Sequence, residues 1–196
     1  MKARAGAGAL AVLALAALPA HADLAEIKTR GSLRVLVSAD EQAEMYALNP
    51  DVAPGFDREI LDGFASLQRV RVETVVRPFD DIIGALLKGQ GDVVVGLVDT
   101  EARRRQISFS VEVLPTRLVV LTCKPQPAIR KDAALQAGLY LGAPGRAAYA
   151  ARKDAPELLR ALDEYIGNLQ KTGTWSRLVV KYFGNDALAV LGRAKQ

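Results

Sequence analysis

The stretch GDVVVGLV, residues 91–98, constrains the fold more than any other in this chain. From Val93 to Val98 it is apolar on both alternations, as a strand covered on both faces must be. Such strands belong to sheets flanked by helices, and two strand–helix units precede this one. LRVLVS (33–38) reads as a buried strand by its β-branched, apolar run. The loop ADEQAEMYALNPDVAPG follows, broken by Pro50, Pro54 and Gly55. In GFDREILDGFASLQ, Phe56, Ile60, Leu61, Phe64 and Leu67 fall on one helical face, and Asp57 and Glu59 suit its positive amino end. RVRVETVVR (69–77) is the second strand, with Val70, Val72 and Val75 directed inward. Pro78 ends it. FDDIIGALLKGQG then predicts a helix capped by Asp80 or Asp81, buried through Ile82, Ile83, Leu86 and Leu87, and closed at Lys88 and Gly89. Three β units joined by two helices predict a parallel sheet with right-handed crossovers. ISFS (107–110) and TRLVVLT (116–122) add strands.

The C-terminal part reads as helical. KDAPELLRALDEYIGNLQ offers Asp154 as N-cap, Pro156 in the first turn and a buried stripe of Leu158, Leu162, Tyr165, Ile166 and Leu169. WSRLVVKYFG is a shorter amphipathic helix stopped at Gly184, and the last dozen residues read as a frayed tail.

The amino terminus carries a different signal. Lys2 and Arg4 precede the apolar run AGALAVLALAALP, and Ala20-His21-Ala22 is a small-x-small cleavage site, so residues 1–22 read as a signal peptide. The run falls short of the roughly 20 residues that cross a bilayer. Its removal takes away His21, the sole histidine, and leaves Cys123 as the sole cysteine. Ser-His-Asp and Cys-His catalysis and the usual zinc sites then fail on inventory, and no metal or cofactor is expected. Loss of Lys2 and Arg4 lowers the formal net charge from +4 to +2, too little and too dispersed for nucleic acid.

One charged feature stands out. The strand ending at Val98 runs through DTEA into Arg103, Arg104 and Arg105 and then into ISFS. Such a run is either a solvated turn or a receptor for a carboxylate. A guanidinium fork meets a carboxylate with two parallel charge-assisted hydrogen bonds.

The order of motifs resembles the bacterial extracellular solute-binding proteins of the polar-amino-acid type, the receptors of ABC importers. GSLRVLV, GFDREIL, ALLKGQGDVVVGLVDTEARRRQISFS and the closing ARKDAPELLRALDEYIGNLQKTGTWSRLVVKYFG match that family's succession over residues 31 to about 122 and about 148 to 184. The resemblance implies an α/β fold: a periplasmic-binding-protein-like lobe with an open, mostly parallel sheet and flanking helices. It places the family's carboxylate-binding arginine on Arg103, with Thr100 as a hydroxyl donor and the backbone of Gly96, Leu97 and Val98 as further ligand contacts. It also implies a periplasmic protein, an amino-acid-like ligand, an inner-membrane ABC permease as partner, and no enzymatic activity.

Three departures qualify the resemblance. Val98 stands where the family usually has Ser or Thr. The first loop, SADEQAEMY, lacks the usual aromatic-Pro-Phe and offers Asp40, Glu41, Met45 and Tyr46 as substitutes, Tyr46 as a lid or as loop packing. The family closes two lobes on its ligand, the second supplying an acid for the α-amino group, yet residues 125–151 are too few for another open sheet, since one βαβ unit takes roughly 30 residues. The expected domains are therefore 23–122 as the first lobe, 123–151 as a remnant of the second, 152–184 as helices packing back, and 185–196 as tail. An uncovered crevice would favour self-association. Competing readings are a regulatory or protein-interaction module, an internally deleted non-binding remnant, and an enzyme using Asp40, Glu41 and Glu44 as acid and base.

Overall fold

The computed structural model describes residues 23–123 and 135–192; the expected signal peptide lies outside them. Helix α1 (Leu24–Arg30) opens the described chain, capped by Asp23, whose side chain accepts from the Leu24 N–H at 2.7 Å. Ile27, fully buried, is the apolar residue that docks the helix.

Strand β1 (Ser32–Ser38) lies between β2 (Arg71–Arg77) and β3 (Val93–Val98) and runs parallel to both, pairing Ser32 with Arg71 and Val35 with Val93. Helix α2 (Phe56–Gln68) connects β1 to β2, and α3 (Ile82–Leu87) connects β2 to β3. This half of the sheet is the parallel one that the strand–helix units predict. Helix α4 (Glu101–Arg104) and β4 (Ile107–Phe109) follow.

The other half is antiparallel. β5 (Leu114–Cys123) and β6 (Leu135–Arg152) pair from Leu114↔Ala147 to Cys123↔Leu135, and β6 also pairs with β3 and β4, giving the order β2-β1-β3-β6-β4 with β5 on β6. The sheet is therefore mixed, because β6 follows β5 as its antiparallel partner and carries that direction into the sheet. β6 also crosses the boundary expected at residue 151. Its last residues belong to the main sheet, with Ala148, Tyr149, Ala150 and Ala151 buried there.

Helices α5 (Pro156–Leu169) and α6 (Gly173–Phe183) cover one face. Leu158, Leu162, Ile166, Trp175 and Val179 join Val35, Val37, Phe56 and Phe64 in the larger core. Phe56 receives edge-on contacts from Trp175 at 5.5 Å and Phe183 at 5.1 Å between ring centroids. The opposite face of the sheet buries Leu36, Val94 and Leu97 against Ile82 and Leu86. Two expectations are corrected here. Ala155, not Asp154, occupies the N-cap of α5, while Asp154 accepts from Arg152 at 2.9 Å. Residues 187–191 form helix α7 rather than a frayed tail, with Ala187 buried and Val190 and Leu191 against the core.

Candidate ligand crevice at the carboxyl ends of β1, β2 and β3

Because β1, β2 and β3 are parallel, their carboxyl ends open on one edge, where ligands of open α/β sheets bind. Asp40 and Glu41 follow β1, Phe79 follows β2, and Thr100 and Arg103 follow β3. Gly96 shapes this edge. With φ +70 it sits where the β3–β6 register shifts between Val94 and Leu97, a bulge that breaks the alternation of β3. Leu97 joins Val94 in the core, and Val98 is left 38 % exposed at the strand's end.

The arginine run resolves into three fates. Arg104 donates to Asp99 through Nε and Nη2, each at 2.5 Å, and Arg146 of β6 donates to the same carboxylate at 2.6 Å. Arg105 donates to Glu101 at 3.2 Å, exposed on both sides. Arg103 alone of the three has no carboxylate partner among the described residues. Its Nη1 donates to the Val98 carbonyl at 2.7 Å, and its guanidinium lies 5.7 Å from the Phe79 ring centroid. Those contacts hold the fork at the end of β3 and leave its other donors available to an acceptor. Thr100 caps α4, its hydroxyl accepting from the Arg103 N–H at 3.3 Å, which fixes the turn that carries the arginine.

The acidic side of the crevice is Asp40, exposed, and Glu41, which folds back over β3. A Cβ at Gly96 would lie 2.3 Å from Glu41 Oε2, so glycine is what lets this carboxylate rest on the strand. Burial raises the Glu41 pKa. Beneath it, Asp57 in the first turn of α2 is fully enclosed, and burial pushes its carboxyl up to about 7 against the bond from the Tyr149 hydroxyl, with the Glu41 charge adding to the rise.

Residues 33–185 match the family described as bacterial extracellular solute-binding proteins, family 3. The chain belongs to that family. Its fold is shared with solved amino-acid-binding proteins. The ancestral amino acid-binding protein AncCDT-1, a precursor of cyclohexadienyl dehydratase, aligns over 82 % of this chain and 99 % of its own at 22 % identity and a TM-score of 0.68. A mutant of ArgBP from T. maritima covers 83 % and 99 % at 20 % identity and 0.69. The arginine-bound form of domain 1 from TmArgBP covers 74 % and 98 % at 25 % identity and 0.55. No curated protein matches the chain.

Within this solute-binding protein two of the expected site residues lie elsewhere. Tyr46 is fully buried, its hydroxyl 2.8 Å from Thr74 Oγ1 of β2 and within 3.4 Å of Arg58, so it is loop packing and no lid. Leu97 turns its side chain into the core, and with Val98 it is in register with Ala148 and Ala147 of β6, so that backbone edge is already paired. Phe79, which was not among the expected residues, stands at the crevice, as does Glu41, one of the substitutes that the first loop offered. Phe79, 46 % exposed beside Pro78, had a signal in the sequence: an aromatic in the turn after a strand. One groove of about 410 Å³ lies between Val52 and Tyr182, and another of about 320 Å³ runs from Arg77, the last residue of β2, along α3 to Lys88. Among the described residues no helix is long and apolar enough to cross a membrane.

Proposed function

We propose that this family 3 protein binds amino-acid-like ligands at the carboxyl ends of β1, β2 and β3, with Arg103 as the anchor of the ligand carboxylate. The observation that carries the reading is the division of labour in the arginine run: Arg104 and Arg105 are paired with carboxylates, and Arg103 is not. Asp40 and Glu41 across the crevice suit a ligand that also bears positive charge. The arginine-bound description of domain 1 from TmArgBP supports a single lobe as a sufficient binding unit. In this reading residues 1–22 are a cleaved signal peptide, the protein works in the periplasm beside an ABC permease, and the β5–β6 ribbon stands in place of a second lobe. The reading is of a binder, not an enzyme: the buried acid nearest the crevice, Asp57, is committed to Tyr149.

An open crevice leaves one face of the ligand in water, and half-exposed charge pairs contribute little, so the affinity is modest. The test is thermal unfolding with millimolar amino acids on wild type and Arg103→Ala. A ligand at 100 times its dissociation constant stabilises the folded state by about 2.7 kcal/mol. A midpoint shift present in wild type and absent in Arg103→Ala supports the reading. A folded wild type that shifts with no amino acid overturns it. That result favours a second reading, a protein-interaction module, for which the exposure of Val76, Phe79 and Val98 speaks.

A further inference from the structure

We propose that the outer edge of β5 pairs with β5 of a second copy of this chain, joining two ribbons into one antiparallel sheet across a two-fold axis. The inference goes beyond the amino-acid reading and does not depend on it.

The first argument is where the sheet narrows. β6 pairs with β3 through Ala147, Ala148 and Ala150, and with β4 through Ala150, Ala151 and Arg152. Ahead of Ala147 its strand partner among the described residues is β5 alone, from Arg146 opposite Pro115 to Leu135 opposite Cys123. A ribbon two strands wide therefore extends past β3 and β4, and no described strand pairs with either of its sides. A two-stranded ribbon by itself is at best marginal in water, and further strands stabilise it.

The second argument is which side is fit to pair. Natural edge strands are protected by charges, prolines or bulges. From Leu118 to Cys123, β5 reads LVVLTC, with no charge, proline or glycine. β6 differs: it carries Gly138, Gly142, Pro144 and Gly145, which weaken a strand or remove a donor. Both register shifts of the ribbon also place the extra residues in β6. Thr116 to Leu118 runs opposite Gly145 to Leu141, and Val119 to Leu121 runs opposite Tyr140 to Ala137. β6 is thus the irregular, protected side, and β5 is the regular, unprotected one.

The third argument is self-complementarity. A two-fold axis makes the joined edge strands antiparallel and gives both copies the same contacts. With Val119 opposite Val120 of the second copy, Leu118 falls opposite Leu121 and Arg117 opposite Thr122. Apolar and β-branched positions then face each other, and no like charges meet. The two Arg117 positions lie roughly 17 Å apart along the strands, beyond the screening length of about 10 Å. A charge-free strand has nothing to select an acidic or a basic partner, whereas a second copy repeats the same edge.

Light scattering across a dilution series tests the inference. Wild type is expected to show the mass of two chains when concentrated and of one when dilute. In the double variant Val119→Lys, Val120→Lys, the lysines of the two copies fall opposite one another, and the mass stays that of one chain. Mixing it with Val119→Glu, Val120→Glu restores the two-chain mass that neither variant reaches alone. Circular dichroism shows whether the variants are folded. Should they fail to fold, hydrogen exchange of wild type decides: alternate amides between Leu118 and Thr122 exchange more slowly in the concentrated sample than in the dilute one. Exchange independent of concentration, or a wild type of one-chain mass throughout, overturns the proposal in favour of a foreign strand as occupant. A two-chain mass that survives the lysines, or growth beyond two copies, overturns pairing through β5.

Discussion

The Tyr149 hydroxyl donates to Asp57 Oδ1 at 3.0 Å, and both side chains are buried. The carboxyl is held up to about 7, far above its ordinary 3.8, chiefly by burial. A folded-state pKa above the unfolded one means stability that is full below about pH 4 and is lost as pH rises through 7. Asp57→Asn keeps the acceptor for Tyr149 and removes the titration. Wild-type unfolding free energy falls by up to about 4 kcal/mol between pH 4 and 8. In the Asn variant the curve flattens, and at pH 8 the variant is the more stable protein. Urea unfolding across pH reads both.

Asp92 and Asp99 each hold two arginines, yet their removal differs in cost. Asp92 is fully buried and accepts from Arg34 through both Nη2 at 2.7 Å and the backbone N–H at 2.8 Å, so Asp92→Ala strands a buried N–H and two partly buried guanidinium groups. We expect a loss of about 3 kcal/mol or more. The partners of Asp99 are 50 % and 42 % exposed and rehydrate readily, which limits Asp99→Ala to about 1–2 kcal/mol. Equal denaturation midpoints for the two variants would contradict this ranking.

Gly55 sits at φ +93, and a Cβ there would lie 2.7 Å from the backbone of Met45 and Tyr46. The obstruction is main chain and cannot swing away. Gly55→Ala is expected to cost about 3 kcal/mol or more and to detach the first loop from the start of α2, where the Phe56 N–H donates to the Glu44 carbonyl at 2.8 Å. Hydrogen exchange at the Phe56 and Asp57 amides reports the detachment directly.

Trp175 is the rivet between α6 and α2. It is 4 % exposed and meets Phe56 edge-on, so Trp175→Ala removes a filled volume and a ring contact, at about 3–5 kcal/mol. Limited proteolysis of this variant should release the chain beyond Gln170 before the sheet is cut.

The parallel half of the sheet was legible because each of its strands and helices announces itself within a dozen residues, by the runs at 33–38 and 93–98 and the helical face of Phe56, Ile60 and Phe64. β6 was hidden. Its sequence is rich in Ala and Gly and carries Pro144, residues poor in strand propensity, and its conformation is imposed by three neighbours rather than by its own composition. At the crevice, residue chemistry pointed to the arginine run after β3, and the family resemblance singled out Arg103 within it. Glu41 and Tyr46 required knowledge of where the loop returns. The former came back onto Gly96, the latter onto Thr74 of β2, and neither return is encoded in local periodicity. Asp57 read as an ordinary helix-start acid, since burial is a property of what packs over it.

The central position of β6 sets an order on how the chain assembles. β2, β1 and β3 can associate as soon as residue 98 is synthesised, since every pairing among them lies within the first strand–helix units. β4 and the far side of β3 must wait for Phe109 and Val94 to meet Ala150, late in the polypeptide. Until then those edges are bare templates for another molecule. We expect the arrival of β6, a closure of long sequence separation, to be the slow step in refolding. A chain interrupted before Leu135 keeps the amino-terminal strands but has nothing to seal them, and aggregation is its natural fate.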